Sequence, residues 1–235
     1  MKIVVKINVK GPIIDNSQKS LYDWLDMEAT CPKDVTDRIP ENGEEIELII
    51  NSPGGIVDAG SEIYTALREY DGEVTAKVVG MAASAASVVI MAAKKVRISP
   101  TARIMIHNGQ RRAQGDHRDM ESAAEAIISA NKAIRNAYLA KTNLSEQELT
   151  ELMDKETTMD AQTAVEKGFA DEIMFQEDSI TLVASLDSGL LPDEALNKIR
   201  NIMAKEKNPK PSVNLEAINK MKNELLREEI ENSLI

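Results

Sequence analysis

Residues 84–93, SAASVVIMAA, carry no charged side chain. A helix that is apolar nearly all round has to be enclosed on every side, so this stretch belongs inside a layered domain. The segments around it supply the layers. Ile3, Val5, Ile7 and Val9 alternate with polar residues as one face of a strand, which Gly11 and Pro12 end. Residues 46–50 and 74–79 are compact β-rich runs, and 96–98 and 103–107 are shorter ones.

Between the strands lie helical patterns. Ile56, Gly60, Ile63, Leu67 and Tyr70 recur on one helix face, which Asp71-Gly72 stops. Residues 17–27 predict a short helix, and 34–45 a polar loop or a weak helix broken by Pro40 and Gly43. Further on, 116–141 is a long Ala-rich helix, and 145–154 opens on the capping-box pattern Ser145-x-x-Glu148. Residues 160–167 form another helix, with Asp160 as N-cap and Gly168 past its end. This alternation predicts an α/β fold with one main domain over residues 1–175. Composition changes near residue 176. The extension, 176–235, offers helices at 192–205 and 213–230 separated by the breaker segment 207–211, and reads as a partner contact or a charged tail docked on its own domain.

Charge and cysteine usage narrow the function. With 39 acidic against 28 basic residues, the net charge of −11 argues against a nucleic-acid binder, which would need a clustered basic surface. The single Cys31 has no intrachain disulfide partner, no metal-ligand spacing is present, and a reducing, intracellular location is expected. No run approaches the roughly 18 consecutive apolar residues of a membrane span, and the N-terminal ten residues alternate as a strand does, unlike a signal peptide.

Three short stretches carry chemistry. Ser84 stands at a strand-to-helix junction among Ala82, Ala83, Ala85 and Ala86, whose small side chains leave its hydroxyl approachable. On its own, that reading competes with a plain N-cap. Pro53, Gly54 and Gly55 form a turn between a strand and a helix where backbone N–H groups can meet an acyl oxygen. His107, one of two histidines, ends a strand in which Arg103 and Met105 share its face. His117, beside Arg118 and Asp119, reads as solvated surface. A nucleophile, a base and oxyanion donors are three of the four parts of serine-based acyl transfer.

INSPGG at 50–55, GMAASAAS at 80–87, RIMIHN at 103–108 and MDKETTMDAQTAVEKGFADEI at 153–173 together resemble the Clp protease proteolytic subunit family over roughly residues 1–175. The likeness is nearest to the head maturation proteases of tailed phages and prophages. It implies Ser84 as nucleophile, His107 as general base and then acid, and the N–H groups of Gly55 and Ala85 as the oxyanion hole. The family's aspartate, five residues before the alanine opening A-x-x-A-V, falls here on Glu156, with Asp154 as runner-up.

The resemblance also implies a ClpP-like, crotonase-like α/β superhelix of β-β-α units with a projecting handle, matched by 110–116 and the helix to 141. Arg111, Arg112 and Arg118 depart from that handle's glycine-rich pattern. Further implications are a homo-oligomeric, heptameric ring with the stacking of rings left open, and no cofactor. The chain begins at its first strand, without the preceding segment that forms axial loops in housekeeping subunits, and it has no Walker-type phosphate loop. Both point to a self-compartmentalised protease that cuts capsid or scaffold proteins in the host cytoplasm or an assembling prohead. Two readings stay beside it: a proteolytic subunit served by a separate Clp ATPase, and a catalytically silent assembly protein. A crotonase-type acyl-CoA enzyme would need acids in place of Ser84 and His107.

Overall fold

The computed structural model of the chain describes residues 3–175. The helices expected at 192–205 and 213–230, and the extension that contains them, lie outside the described residues. A seven-stranded sheet organises the rest, with spatial order β1 (Val4–Lys10), β2 (Glu45–Ser52), β3 (Val74–Ala83), β4 (Lys95–Ile98) and β7 (Glu172–Ile173), every neighbouring pair parallel. Two strands leave this path. β5 (Arg103–Met105) pairs in parallel with β3, and β6 (Thr158–Met159) pairs antiparallel with β5.

The helices are α1 (Lys19–Trp24), α2 (Pro32–Thr36), α3 (Val57–Glu69), α4 (Ala85–Ile90), α5 (His117–Leu139), α6 (Glu146–Asp154) and α7 (Ala161–Glu166). This is the mixed α/β arrangement that the alternation of patterns predicts. All six residues of α4 are buried, as a helix without a polar face requires. On α3 the buried residues are Ala59, Gly60, Ile63 and Leu67, its apolar stripe. In β1 the alternation holds at Ile7 and Val9, both fully buried, whereas Ile3 before the strand is mostly exposed. Ser145 accepts from the Glu148 N–H and Asp160 from the Thr163 N–H, so both expected caps form.

β3 differs most from the sequence reading, and the difference makes the site. The strand was expected to stop at Val79, before Gly80, but it runs on to Ala83. Its first half pairs with β4 through Thr75 to Val78, and its second half pairs with β5 through Met81 to Ala83. Gly80 sits where the change occurs. A register irregularity between Ile50 and Ser52 frees Asn51 from the β2–β3 ladder, and its Oδ1 accepts from the Met81 N–H at 3.2 Å. A Cβ on Gly80 would lie 2.4 Å from that oxygen. Glycine here leaves room for a side chain that replaces a ladder bond, which is a strand use of glycine and not a stop. The long β3 thereby passes from one strand neighbour to another, as in a superhelix of β-β-α units.

At the far side, residues 106–116 form no strand, and 110–122 are exposed. α5 buries only Ala123, Ile134, Ala137 and Tyr138, so its first half projects from the body while its last turns pack against it. Arg111 and Arg112 are exposed within the projection, and Arg118 pairs with the N-cap Asp116 at 2.8 Å. Among the described residues no helix is long and apolar enough to cross a membrane.

Candidate functional site

Ser84 is the residue between β3 and α4. Its backbone sits at φ 54° and ψ −125°, a region that a non-glycine residue occupies at a cost of about 1–3 kcal/mol. Neighbouring bonds hold it there. The Ser84 N–H donates to the Met105 carbonyl of β5 at 2.9 Å, and its own carbonyl accepts from the Ser87 N–H at 2.9 Å. The sharp turn lifts the side chain off the sheet, and Ser84 remains partly exposed.

The same pairing positions His107. Ala83 is registered with Met105, so His107, two residues on, emerges beside the turn. His107 Nε2 lies 2.8 Å from Ser84 Oγ. That is hydrogen-bond distance between a nucleophile and a base, within the range that proton abstraction demands. Ser84 does stand at the N-cap position of α4, but the competing reading of it as a plain capping residue does not hold, because its side chain makes no capping hydrogen bond.

Gly54 and Gly55 stand on the other flank of the serine. Gly54 has φ +86°, and a Cβ on it would lie 2.5 Å from the Ala83 carbonyl oxygen, 2.7 Å from Ser84 Cβ and 2.8 Å from the Ala85 nitrogen. The glycine turn therefore lies against the backbone of Ser84 itself. Ile13 clamps it: the Ile13 N–H donates to the Gly54 carbonyl at 2.8 Å, and the Ile56 N–H donates to the Ile13 carbonyl at 2.9 Å. In such a parallel bridge the N–H of the central residue, Gly55, faces away from Ile13. Among the described residues neither the Gly55 nor the Ala85 N–H donates a hydrogen bond, leaving both available to an incoming oxygen.

Glu156 is placed differently. Glu156 is exposed, and its carboxylate makes no hydrogen bond to His107; the structure joins Ser84 with His107 and leaves Glu156 outside that pair. Its backbone nevertheless runs beside the segment that carries His107. β5 and β6 pair Ile104 with Met159 and Met105 with Thr158, and the Ile106 N–H donates to the Thr157 carbonyl at 3.0 Å. Glu156 directly precedes Thr157 and His107 directly follows Ile106, so each stands one residue beyond that bond, where the ladder ends. Glu156 also ends α6 in the left-handed region, φ 49°. There its N–H reaches the Met153 carbonyl while the Thr157 N–H reaches that of Leu152, the helix termination that glycine favours. Asp154 is engaged elsewhere, accepting from Asn108 Nδ2 at 2.7 Å. Asp160 is occupied as the α7 cap, and the Thr163 backbone N–H it accepts holds its carboxyl below the ordinary range.

Sequence reasoning did not find the residues that brace this pair. Asn131 Oδ1 accepts from the Gly109 N–H at 2.7 Å, just beyond His107. Ser87 Oγ donates to the Ser84 carbonyl at 2.6 Å and meets Tyr138 Oη at 2.7 Å. Asn131 and Tyr138 lie two turns apart on α5 with buried Ile134 between them, so the helical period was the available signal. Among the described residues no group of three or more His, Cys, Asp or Glu is arranged to hold a metal ion.

A family model described as Clp protease matches residues 38–177, more than half of the chain. A curated relative from Deinococcus radiodurans, named ATP-dependent Clp protease proteolytic subunit, is 33% identical over 135 residues, which cover 57% of this chain and 66% of the relative. A relative of the same name from Carsonella ruddii is 32% identical over 139 residues, covering 58% of this chain and 72% of the relative. The chain thus spans about two thirds of the length of the curated relatives it matches.

Proposed function

We propose, from the premise that this chain belongs to the Clp protease family, that it is a serine endopeptidase with Ser84 as nucleophile and His107 as general base and acid. The observation that carries the reading is the 2.8 Å contact between His107 Nε2 and Ser84 Oγ at a strained strand-to-helix turn. In the reaction, His107 takes the Ser84 proton as Oγ attacks the scissile carbonyl carbon. The carbonyl oxygen gains negative charge and is met by the Gly55 and Ala85 N–H groups, each such donor being worth about 10²–10³ in rate. His107 then gives the proton to the leaving amine; in the second half the same imidazole takes a proton from water as it attacks the acyl carbon, and returns it to Ser84 Oγ as the acyl–oxygen bond breaks.

Glu156 is the third member in this reading. Its place one residue beyond the Ile106–Thr157 bond, as His107 is on the other strand, supports it, as does a helix end that a glycine would form with less strain. Turning its side chain toward the ring brings a carboxylate to the imidazole nitrogen that Ser84 does not use, fixing the tautomer and stabilising the imidazolium.

The working form is a homo-oligomeric ring, built with the projecting first half of α5. Met120 and Ile128, 42% and 68% exposed on that helix, are the apolar contacts it offers to a second copy. The substrates are capsid or scaffold proteins of a phage or prophage, cut in the host cytoplasm or within the prohead. A second reading has a specific support: both relatives are named as ATP-dependent subunits, and on that model a separate ATPase feeds unfolded chains to the ring. Cleavage of a folded substrate that requires ATP and a Clp ATPase favours the second reading; nucleotide-free processing of a capsid protein favours the first.

The chemistry itself is tested by intact-mass analysis after treatment with a fluorophosphonate. One adduct on the wild-type chain and none on Ser84→Ala is the expected result. An assembled wild-type protein that takes no adduct refutes the peptidase assignment and leaves an assembly protein.

A further inference from the structure

Ser87 and Tyr138 contribute no group to the attack on substrate, yet they form a buried polar pair directly beneath the nucleophile. Ser87 is fully buried, and so is Tyr138, whose ring packs edge-on against Phe169 with centroids 5.4 Å apart. Placing two hydroxyls in an apolar core is costly unless each is satisfied. Here they satisfy one another and a backbone carbonyl, and the geometry fixes the direction of every hydrogen. The Ser84 carbonyl can only accept, so the 2.6 Å contact uses the single hydrogen of Ser87 Oγ. The Tyr138 hydroxyl must then be the donor across the 2.7 Å contact. Burial pushes the Tyr138 phenol far above its ordinary range, so it keeps that hydrogen at any working pH.

The chain of bonds ends on a peptide group that matters. The Ser84 carbonyl and the Ala85 N–H belong to one planar, trans peptide unit and point in opposite directions from it. Holding the carbonyl from below therefore aims the N–H on the other side. Drawing electron density toward the carbonyl oxygen also makes the N–H a stronger donor, the usual cooperativity of hydrogen bonds in series. A peptide held in this way needs no reorientation when charge develops on the substrate oxygen.

We infer that Tyr138 and Ser87 are positioning residues that orient and polarise the Ala85 N–H as an oxyanion donor, through the relay Tyr138 O–H to Ser87 Oγ to Ser84 C=O. This rests on the peptidase reading above and adds to it a pair that acts on the transition state without touching substrate. Because Tyr138 lies in the last turns of α5, the helix whose first half projects from the body, the relay also ties the donor to the seating of that helix.

The test uses the full chain and three variants, Tyr138→Phe, Ser87→Ala and the double variant. Each is assayed with a fluorogenic peptide, with a peptide boronic acid that forms a tetrahedral adduct on the serine, and by thermal unfolding. Losing one such bond should lower kcat about three- to ten-fold, with KM within about two-fold and boronate affinity falling by the same factor as kcat. The double variant should be no slower than the slower single, since either change cuts the same relay. Tyr138→Phe keeps the ring and its contact with Phe169, and Ser87→Ala gives an independent readout if that variant does not fold. Unchanged kcat and boronate affinity in folded variants with lower Tm would reduce the pair to packing and overturn the inference. Multiplying effects in the double variant would also overturn it. If the wild-type chain neither cleaves peptide nor takes the fluorophosphonate, the peptidase reading fails and the relay falls with it; an active wild type with unaffected variants removes the relay alone.

Discussion

Replacing Gly54 by alanine should damage catalysis more than it damages the fold, and the size of both effects follows from the local geometry. The new Cβ would meet the Ala83 carbonyl oxygen at 2.5 Å, Ser84 Cβ at 2.7 Å and the Ala85 nitrogen at 2.8 Å. None of these is the flexible end of a long side chain, so backbone has to move. Overpacking of this kind costs about 1–3 kcal/mol, and the residue must also hold φ +86°, which adds about 1–2 kcal/mol for an L side chain. A loss of about 2–5 kcal/mol is therefore expected, large beside the marginal stability of a domain. Relaxation would displace the Ser84–Ala85 peptide, and an error of about 1 Å in a catalytic group costs on the order of 10² in rate. Gly43 is the internal control. It has φ +71° and nothing within 4 Å of its would-be Cβ, so Gly43→Ala carries backbone strain without the clash. The assay is kcat on a fluorogenic peptide together with Tm for both variants. Gly43→Ala should lose only Tm, while Gly54→Ala should lose Tm and about 10² in kcat. A Gly54→Ala protein with kcat within about two-fold of wild type would show that the glycine turn does not hold the nucleophile's backbone, refuting the reasoning.

Two further outcomes are expected. Glu156→Ala should lower kcat by about 10² or more while KM holds, as loss of the group orienting a catalytic histidine does, whereas Asp154→Ala should change it little, since that carboxylate already serves Asn108; the reverse order would assign the acid to Asp154. Asp160 has its carboxyl held below the ordinary range by the Thr163 backbone N–H. Its folded-state pKa is thus below its unfolded value, so the stabilisation is fully present above the unfolded carboxyl range and lost as pH falls through the lowered folded pKa. Asp160→Asn keeps an N-cap and removes the titration, so its Tm should fall less steeply than that of wild type on acidification; parallel curves would contradict this.

How much of the site could be read from the chain depended on whether the cause was local. Ser84 between small residues, the glycines after β2 and the caps at Ser145 and Asp160 are properties of a few adjacent residues, and each was legible. The continuation of β3 past Gly80 was not, because what permits it is Asn51, almost thirty positions earlier in the sequence, reaching across from β2. Asn131 gave no sign beyond its place on the α5 helical period, and Ser87 passed for another small residue in a small-residue run.

The sequence alone determined the longer helices and the longer strands, though not the short β6 and β7, and which side chain types are available for acyl transfer, since periodicity, turn chemistry and capping are written within a helix turn or a strand. Tertiary structure decided what those side chains meet. The split pairing of β3 brings His107 to 2.8 Å from Ser84, and packing the end of α5 under α4 places the Tyr138 hydroxyl against Ser87. Such contacts join residues more than twenty positions apart. Strand register and helix packing select them by burying the apolar faces together, and a reading confined to local patterns cannot supply that choice.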